Sequence, residues 1–163
     1  MKSMLTAFAF SCLVLAGGAE SSPAPASRLD CPRLMKAEWN SAERGAAQAD
    51  CEFYNASIAR GGDAWGDFAA PNASLPRGRG KDEIRAAYKK TYADPSFRLS
   101  WHPERAAQFG SSYVVTSGPY ELHLGRAGKD QVGRGTYITV WHRQADGSWL
   151  FVWDGGEEAA EQK

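Results

Sequence analysis

The sequence contains 163 residues, of which 43% are apolar and 23% are charged, a length and composition typical of one soluble globular domain. Its 19 basic side chains balance 19 acidic ones, and no segment is rich in Lys and Arg. This charge pattern argues against nucleic acid as the main partner, because nothing attracts a phosphate backbone.

The N-terminal segment has the pattern of a secretory signal peptide. Lys2 precedes an apolar stretch over residues 4–16, and small residues follow up to Ala19. Because the stretch is too short to cross a bilayer as a helix, we predict a signal peptide over 1–19, a secreted or periplasmic location and no membrane span in the mature chain. Residues 20–38 begin with a run of Glu, Ser, Pro and Ala, and are predicted to form a disordered linker and N-terminal extension.

Two cysteines remain once the leader and its Cys12 are removed. In an oxidising compartment, Cys31 and Cys51 are expected to form an intramolecular disulfide. The alternative is two unlinked thiols, one of them buried. No CxxC motif is present, so the sequence gives no sign of thiol chemistry.

Residues 41–60 are predicted to form an amphipathic helix. Ser41 is the expected N-cap, and Gly61 and Gly62 should end the helix where a positive φ is tolerated. Apolar residues recur at spacings of three and four along one face: Ala47, Cys51, Tyr54 and Ile58.

Two further helices are predicted before the first strand. Asp63 should cap a short turn of helix that carries Trp65 and Phe68, and Pro71 should stop it. A longer helix is predicted over 81–92, with acidic residues in its first turn at the positive end of the helix dipole.

After Pro95 the pattern changes to period two and to β-forming residues. We predict strands over 97–109, 112–124, 133–143 and 148–154, joined by short turns into an antiparallel meander. Pro103 and Pro119 cannot donate to a ladder, so a bulge or interruption is expected there. Helices followed by an antiparallel sheet define an α+β domain and exclude a parallel nucleotide-binding sheet.

The register of the last hairpin decides which side chains share a face. If Arg143 pairs with Ser148, one face carries a hydroxyl, a phenol and a carboxylate among apolar groups, as a ligand cavity requires. The residues of that face are Tyr137, Thr139, Trp141, Leu150, Val152 and Asp154. The opposite face carries the row Trp149, Phe151 and Trp153, which suits a core or a homodimer interface. A slip of one residue would exchange the two faces.

The aromatic residues of these elements follow a characteristic order. The motifs are Phe53-Tyr54, Trp65 and Phe68 after a Gly turn, Gly80 before Ile84 and Tyr88, Phe97-x-Leu99-x-Trp101-x-Pro103, Arg134-Gly135-x-Tyr137-x-Thr139-Val140-Trp141, Asp146-Gly147-Ser148-Trp149 and Asp154. This order resembles the SnoaL-like branch of the nuclear transport factor two-like superfamily. The resemblance implies a cone-shaped, curved antiparallel sheet wrapped on N-terminal helices (a nuclear transport factor two-like or cystatin-like fold), over 39–156, with a flexible tail over 157–163.

The resemblance implies no single activity, because the superfamily includes isomerases, dehydratases, cyclases, hydrolases, ligand carriers and dimerisation modules. Asp154 is the candidate general base, since a carboxylate facing an apolar cone should have a raised pKa. A tyrosine could donate to a developing oxyanion, with Tyr137, Tyr120, Tyr88 and Tyr54 as the candidates, and His102 is a candidate acid/base partner. The alternative is that Asp154 caps the end of its strand. The isomerases of this superfamily use a second, protonated acid, which is assigned to no residue of this sequence.

The many Trp and Tyr residues suggest the walls of a pocket for a flat, apolar molecule. The predicted ligand-binding residues are Tyr54, Trp65, Phe68, Tyr88, Trp101, Tyr120, Thr139 and Trp141. The three histidines are isolated in sequence, so neither a metal nor a cofactor is predicted. We expect an exported domain that binds a small apolar or aromatic molecule and forms a homodimer. The alternatives are an isomerase, dehydratase or epoxide hydrolase that uses Asp154, and a dimerising interaction module without catalysis.

Overall fold

The computed structural model describes residues 27–126 and 129–159. The predicted signal peptide, residues 20–26 of the predicted linker and residues 160–163 of the predicted tail lie outside the described residues. Within the described ranges, no helix has both the length and the apolar character needed to span a membrane.

Four helices precede the main sheet. They are α1 (Cys31–Leu34), α2 (Ser41–Arg60), α3 (Gly62–Phe68) and α4 (Gly80–Tyr92). The predicted bounds of α2 are confirmed, but its cap is Asn40 rather than Ser41. The Asn40 side chain accepts hydrogen bonds from the backbone N–H groups of Ala42 and Glu43, and the Glu43 carboxylate accepts one from the Asn40 backbone, which completes a capping box.

The predicted cap of α3 is wrong. This helix starts at Gly62, its N-cap position is Gly61, two residues before the predicted cap, and no side chain caps it. The Asp63 carboxylate instead forms ion pairs with Lys89 at 3.1 Å and Arg85 at 3.8 Å on α4. Gly61, with φ of 55°, ends α2 and lets the chain turn directly into α3.

The strands form a small hairpin and one large curved sheet, all antiparallel. The hairpin joins β1 (Ser74–Leu75) to β2 (Gly78–Arg79). The large sheet contains β3 (Arg98–Trp101), β4 (Arg105–Phe109), β5 (Tyr113–Arg126), β6 (Lys129–Arg143) and β7 (Trp149–Glu158). Its order is β3-β5-β6-β7, and β4 also pairs with β5. The α+β fold class with a curved antiparallel sheet is therefore confirmed.

The predicted strand over 97–109 is interrupted at Pro103, as expected from its missing N–H. The two segments on either side, β3 and β4, pair with the same partner strand. Opposite the interruption, Gly118 has no side chain, and a Cβ there would lie 2.1 Å from the His102 carbonyl oxygen. At Pro119 the ladder with β6 continues without a break, because Pro119 still pairs with Thr136.

The register of the last hairpin differs from the predicted one. The turn extends one residue further, because the Gln144 N–H donates to the Ser148 carbonyl, so Arg143 pairs with Trp149 instead of Ser148. Phe151, rather than Leu150, therefore lies opposite Trp141.

A β-bulge then restores the expected alternation further along β7. Val152 is the extra residue between the Trp141–Phe151 and Val140–Trp153 pairs, so Asp154 lies opposite Thr139. The inner face of this hairpin thus contains both the fully buried Phe151 and Asp154. Beyond Asp154, β7 continues to Glu158, which is two residues into the predicted tail.

The predicted outward row of three aromatic residues does not exist. Phe151 is fully buried, and Trp149 packs beside α2, where a Cβ on Gly45 would lie 2.8 Å from its indole nitrogen. Trp153 alone of the three is exposed, at 40%. Ile138, the neighbour of Trp153 on the outer face, is 41% exposed. The outer face therefore keeps an apolar patch, but its members differ from the predicted ones.

The core is an aromatic cluster between α2, α3 and the inner face of the sheet. Phe53 is its centre, with ring centroids 4.9 to 6.3 Å from those of five neighbours: Trp65, Phe68, Trp101, Trp141 and Phe151. The disulfide between Cys31 and Cys51 is present and fastens α1 to α2. In the chain-entropy view, a loop of this length contributes about 3 kcal/mol.

Candidate functional site

A cavity of about 190 Å³ lies between the inner face of the sheet and helices α3 and α4. Five aromatic rings line it, together with Leu99, Asp154 and the two glycines that follow it. The rings belong to Trp65, Tyr88, Trp101, Tyr120 and Tyr137. The cavity thus brings together Asp154, the predicted general base, and five aromatic residues that were predicted to bind the ligand or to act in catalysis.

The helical wall is fixed by a close crossing of α3 and α4. Gly62 permits this crossing, since a Cβ there would lie 2.1 Å from the Lys89 backbone nitrogen. The crossing stacks Trp65 on Tyr88, with ring centroids 3.5 Å apart and planes at 5°. The Trp65 indole N–H donates to the Tyr92 hydroxyl at 3.3 Å. The stack and the hydrogen bond therefore hold the two rings rigidly at the cavity wall.

The sheet wall depends on glycines that leave room for the rings. Trp101 on β3 and Tyr120 on β5 are paired neighbours. Gly135 lies opposite Tyr120 on β6, and a Cβ there would lie 2.8 Å from the Tyr120 ring. A Cβ on Gly156 would lie 3.2 Å from the same ring. These glycines allow Tyr120 to lie flat along the sheet beside the cavity.

Asp154 provides the carboxyl group that lines this cavity. The Thr139 hydroxyl donates to its Oδ2 at 2.6 Å, and in residues 27–126 and 129–159 no group donates to its Oδ1. Burial among the rings raises the pKa of Asp154 from 3.8 to about 7; the Thr139 hydrogen bond opposes this and the nearby Asp50 charge adds to it. A carboxyl group with this pKa exchanges its proton near neutral pH.

Asp50 is a second buried acid, and our sequence prediction missed it. It lies on α2 with no exposed surface, and its two oxygens accept three hydrogen bonds. The donors are Trp101 Nε1 at 2.8 Å, Thr116 Oγ1 at 2.6 Å and the Tyr137 hydroxyl at 2.8 Å. Burial raises its pKa to about 6, while these hydrogen bonds act in the opposite direction.

The sequence contains a signal for Asp50. It lies four residues after Ala46, three before Phe53 and four before Tyr54, so helical spacing places it on the apolar face of α2. An acid on an apolar helix face must be buried with partners. Spacing alone could therefore have identified it as a candidate.

Several predicted site residues lie elsewhere. Tyr54 and His102 line a neighbouring, larger cleft of about 550 Å³, and His102 Nε2 lies 3.4 Å from a Glu104 oxygen. The structure therefore does not bring His102 to Asp154. Phe68 packs against Phe53 in the core. Trp141 is fully buried, and its indole N–H donates to Thr116 at 2.9 Å.

Thr139 was predicted to bind the ligand, but it does not line the cavity, since its side chain is 1% exposed. Its hydroxyl instead donates a hydrogen bond to the Asp154 carboxylate, which does line the cavity. Among the described residues, no group of three or more His, Cys, Asp or Glu side chains is arranged to hold a metal ion.

The fold is similar to several solved structures. A ketosteroid isomerase-like protein from Erwinia carotovora atroseptica has a TM-score of 0.64 at 15% identity, with 75% of this chain and 99% of that protein covered. A domain of unknown function with a cystatin-like fold from Nostoc punctiforme has a TM-score of 0.60 at 13% identity, with coverages of 74% and 80%.

A nuclear transport factor 2-like superfamily protein from Salmonella enterica has a TM-score of 0.58 at 17% identity, with coverages of 76% and 94%. No protein-family model matches the sequence, and no curated protein matches it significantly. The structural likeness shows the fold, as the resemblance predicted.

Proposed function

We propose that this domain of nuclear transport factor two-like fold is an exported small-molecule-binding domain that holds one apolar or aromatic molecule in its cavity. The observation that carries the proposal is the convergence of five aromatic rings on one carboxyl group, Asp154, in a cavity of about 190 Å³. Pockets for small ligands combine apolar walls with one or a few polar groups that fix orientation. Asp154 is the polar anchor here.

The size of the cavity supports a small ligand. A protein cavity of about 150 Å³ holds one benzene ring. A volume of about 190 Å³ suits a molecule of one ring with one short substituent. The rigid stack of Trp65 and Tyr88 in the wall favours a compact apolar body.

Export and self-association belong to the same proposal. The pattern over residues 1–19 predicts a leader, and the disulfide between Cys31 and Cys51 is the form of cysteine expected in an oxidising compartment. The exposed Ile138 and Trp153 on the outer face suit a homodimer interface. This patch is separate from the cavity, which lies on the inner face.

A second candidate is an enzyme that transfers a proton next to a carbonyl group. This enzymatic function is favoured by two carboxyl groups that flank Tyr137, Asp50 with a pKa of about 6 and Asp154 with a pKa of about 7. Asp154 would remove the proton as general base. The Tyr137 hydroxyl, which lines the same cavity, would exchange its hydrogen bond to Asp50 for one to the developing oxyanion.

Native mass spectrometry tests the binding proposal. The protein is expressed with its leader and recovered from the exported fraction, and the same sample is then measured after denaturation. We expect extra mass that denaturation releases, and a denatured mass that shows the loss of the leader and of two hydrogens at the disulfide.

A cavity-filling variant gives the control. Leu99→Trp, which places a large ring in the cavity, should abolish the extra mass, whereas Ile138→Trp on the outer face should keep it. Bound mass that survives Leu99→Trp would contradict the cavity assignment. Asp154→Asn separates the two candidates, because it abolishes turnover by an enzyme but leaves a folded binding domain.

A further inference from the structure

Asp154 is an anion without a cationic partner in the described part of the chain. The ion pairs of α3 and α4 involve acids on the surface, such as Asp63 and Asp67, and none of them includes Asp154. Thr139 binds Oδ2 and leaves Oδ1 free at the cavity wall. Asp154 is half-buried, and an ionised carboxylate that is partly shielded from water is stabilised by a proton or by a cation.

The same cavity has walls that attract cations. The face of an aromatic ring carries negative charge, and a cation within about 6 Å of the ring centre is bound by it, most strongly by Trp. Two of the five rings here are indoles, Trp65 and Trp101. An arrangement of rings around one carboxylate is the chemistry that recognises substituted ammonium groups.

Two charged groups lie near the cavity and act on a bound cation in opposite directions. Asp50 lies behind Tyr137 and adds a second potential negative charge. Arg77 is exposed, bonded to the Thr91 hydroxyl at 2.9 Å, and its guanidinium carbon lies 6.0 Å from the centre of the Tyr88 ring. Arg77 therefore contacts Tyr88 from outside the cavity, and its positive charge opposes the binding of a cation.

We propose that the ligand of this cavity is a small organic cation, an amine or a quaternary ammonium group, held by Asp154 and the surrounding aromatic rings. This inference rests on the proposed binding function and names its ligand class. The ion pair would also keep Asp154 ionised and occupied, so a cationic ligand favours binding over proton transfer by this carboxylate.

The proposal predicts a dependence of affinity on pH. A cation binds the ionised form of Asp154, so affinity should rise with pH until Asp154 is fully ionised, by up to about tenfold for each pH unit. Burial raises the pKa values of the surrounding tyrosines, which stay neutral over this range. The titratable and charged groups around Asp154 and these rings are Asp50, Arg77, Tyr88, Tyr92, Tyr120, Tyr137 and Glu158.

Choline and its uncharged carbon isostere 3,3-dimethylbutan-1-ol form the matched pair of probes. Titration calorimetry at about pH 8.5, where Asp154 is ionised, should show that choline binds about tenfold more tightly or better. The preference should shrink towards pH 5.5, and Asp154→Asn should remove most of the preference and most of its pH dependence, the remainder coming from Asp50. Near-UV circular dichroism checks that the variant is folded.

A second pair of variants tests the ring contribution without changing a charge. Tyr120→Leu removes a ring from the cavity wall and should weaken choline about fivefold or more, whereas Tyr120→Phe keeps the ring and should bind like the wild type. This pair keeps the proposal testable even if Asp154→Asn does not fold. Equal losses in both variants would overturn the role of the ring face.

The two proposals fail in distinguishable ways. Equal binding of choline and its isostere would overturn the cationic ligand and leave the binding function in place. If neither probe binds, and phenol and xenon do not enter the cavity either, both proposals are overturned.

Discussion

The carboxyl group of Asp154 should make the protein less stable as the pH rises, and Asp154→Asn should remove that effect. The pKa of Asp154 is raised from 3.8 to about 7, so the folded state binds this proton more tightly than the unfolded state does. The proton therefore favours folding. Its stabilising effect is complete below about pH 4, declines as the pH rises through 7, and is then lost.

The magnitude follows from the pKa difference. Each pKa unit corresponds to roughly 1.4 kcal/mol, so a change from 3.8 to about 7 gives about 4 kcal/mol. Asparagine keeps an oxygen that can accept the Thr139 hydrogen bond, but it carries no charge at any pH. Relative to the wild type, the free energy of unfolding of Asp154→Asn should rise by about 4 kcal/mol between pH 4 and pH 8.

Urea denaturation followed by tryptophan fluorescence at several pH values, with the disulfide intact, measures this difference. Asp146→Asn is the matched control, because Asp146 lies in an exposed turn where the Ser148 hydroxyl and backbone lower its pKa. Relative to the wild type, the free energy of unfolding of Asp146→Asn should fall as the pH rises from acid, which is opposite to the change expected for Asp154→Asn. If the difference in the free energy of unfolding between the wild type and Asp154→Asn stays constant with pH, burial does not raise the pKa of Asp154 and the reasoning is refuted.

Three further predictions concern the core, the disulfide and the outer face. Asp50→Ala leaves three buried donors without an acceptor and should lower the free energy of unfolding by roughly 3 kcal/mol, measured by urea denaturation at pH 7. Cys51→Ser removes the bond to Cys31 and should cost about 3 kcal/mol, whereas added reductant should destabilise the wild type but not the variant. Trp153→Lys should convert a dimer to a monomer in sedimentation velocity, and a wild type that is already monomeric at micromolar concentration contradicts the interface.

Local sequence signals predict most of the framework. Apolar spacing and the glycines at 61 and 62 define α2 to the residue. The missing N–H of Pro103 divides the first long strand. These features depend on neighbours along the chain, which the sequence displays directly. The cap of α2 was displaced by one residue because Asn40 and Glu43 compete successfully with Ser41 for the same backbone groups.

Features that depend on distant partners were harder to predict. Asp50 is satisfied by donors that lie 51, 66 and 87 residues further along the chain, on three different strands. The face of Asp154 was predicted correctly from a wrong register, because the longer turn and the bulge at Val152 compensate for each other. Alternation alone cannot place a bulge, so the predicted sheet face of Phe151 was wrong, whereas the predicted sheet face of Asp154 was right.

The bulge at Val152 has a consequence for how the cavity can change. It divides β7 into a first half that supplies Phe151 to the core and a second half that supplies Asp154 to the cavity. If Val152 took a regular place in the ladder, alternation would bring Trp153 inside and send Asp154 to the outer face, whereas deleting Val152 would remove the bulge and leave both side chains on their present faces. The polarity of this cavity therefore depends on the bulge at Val152 as much as on the acid at position 154.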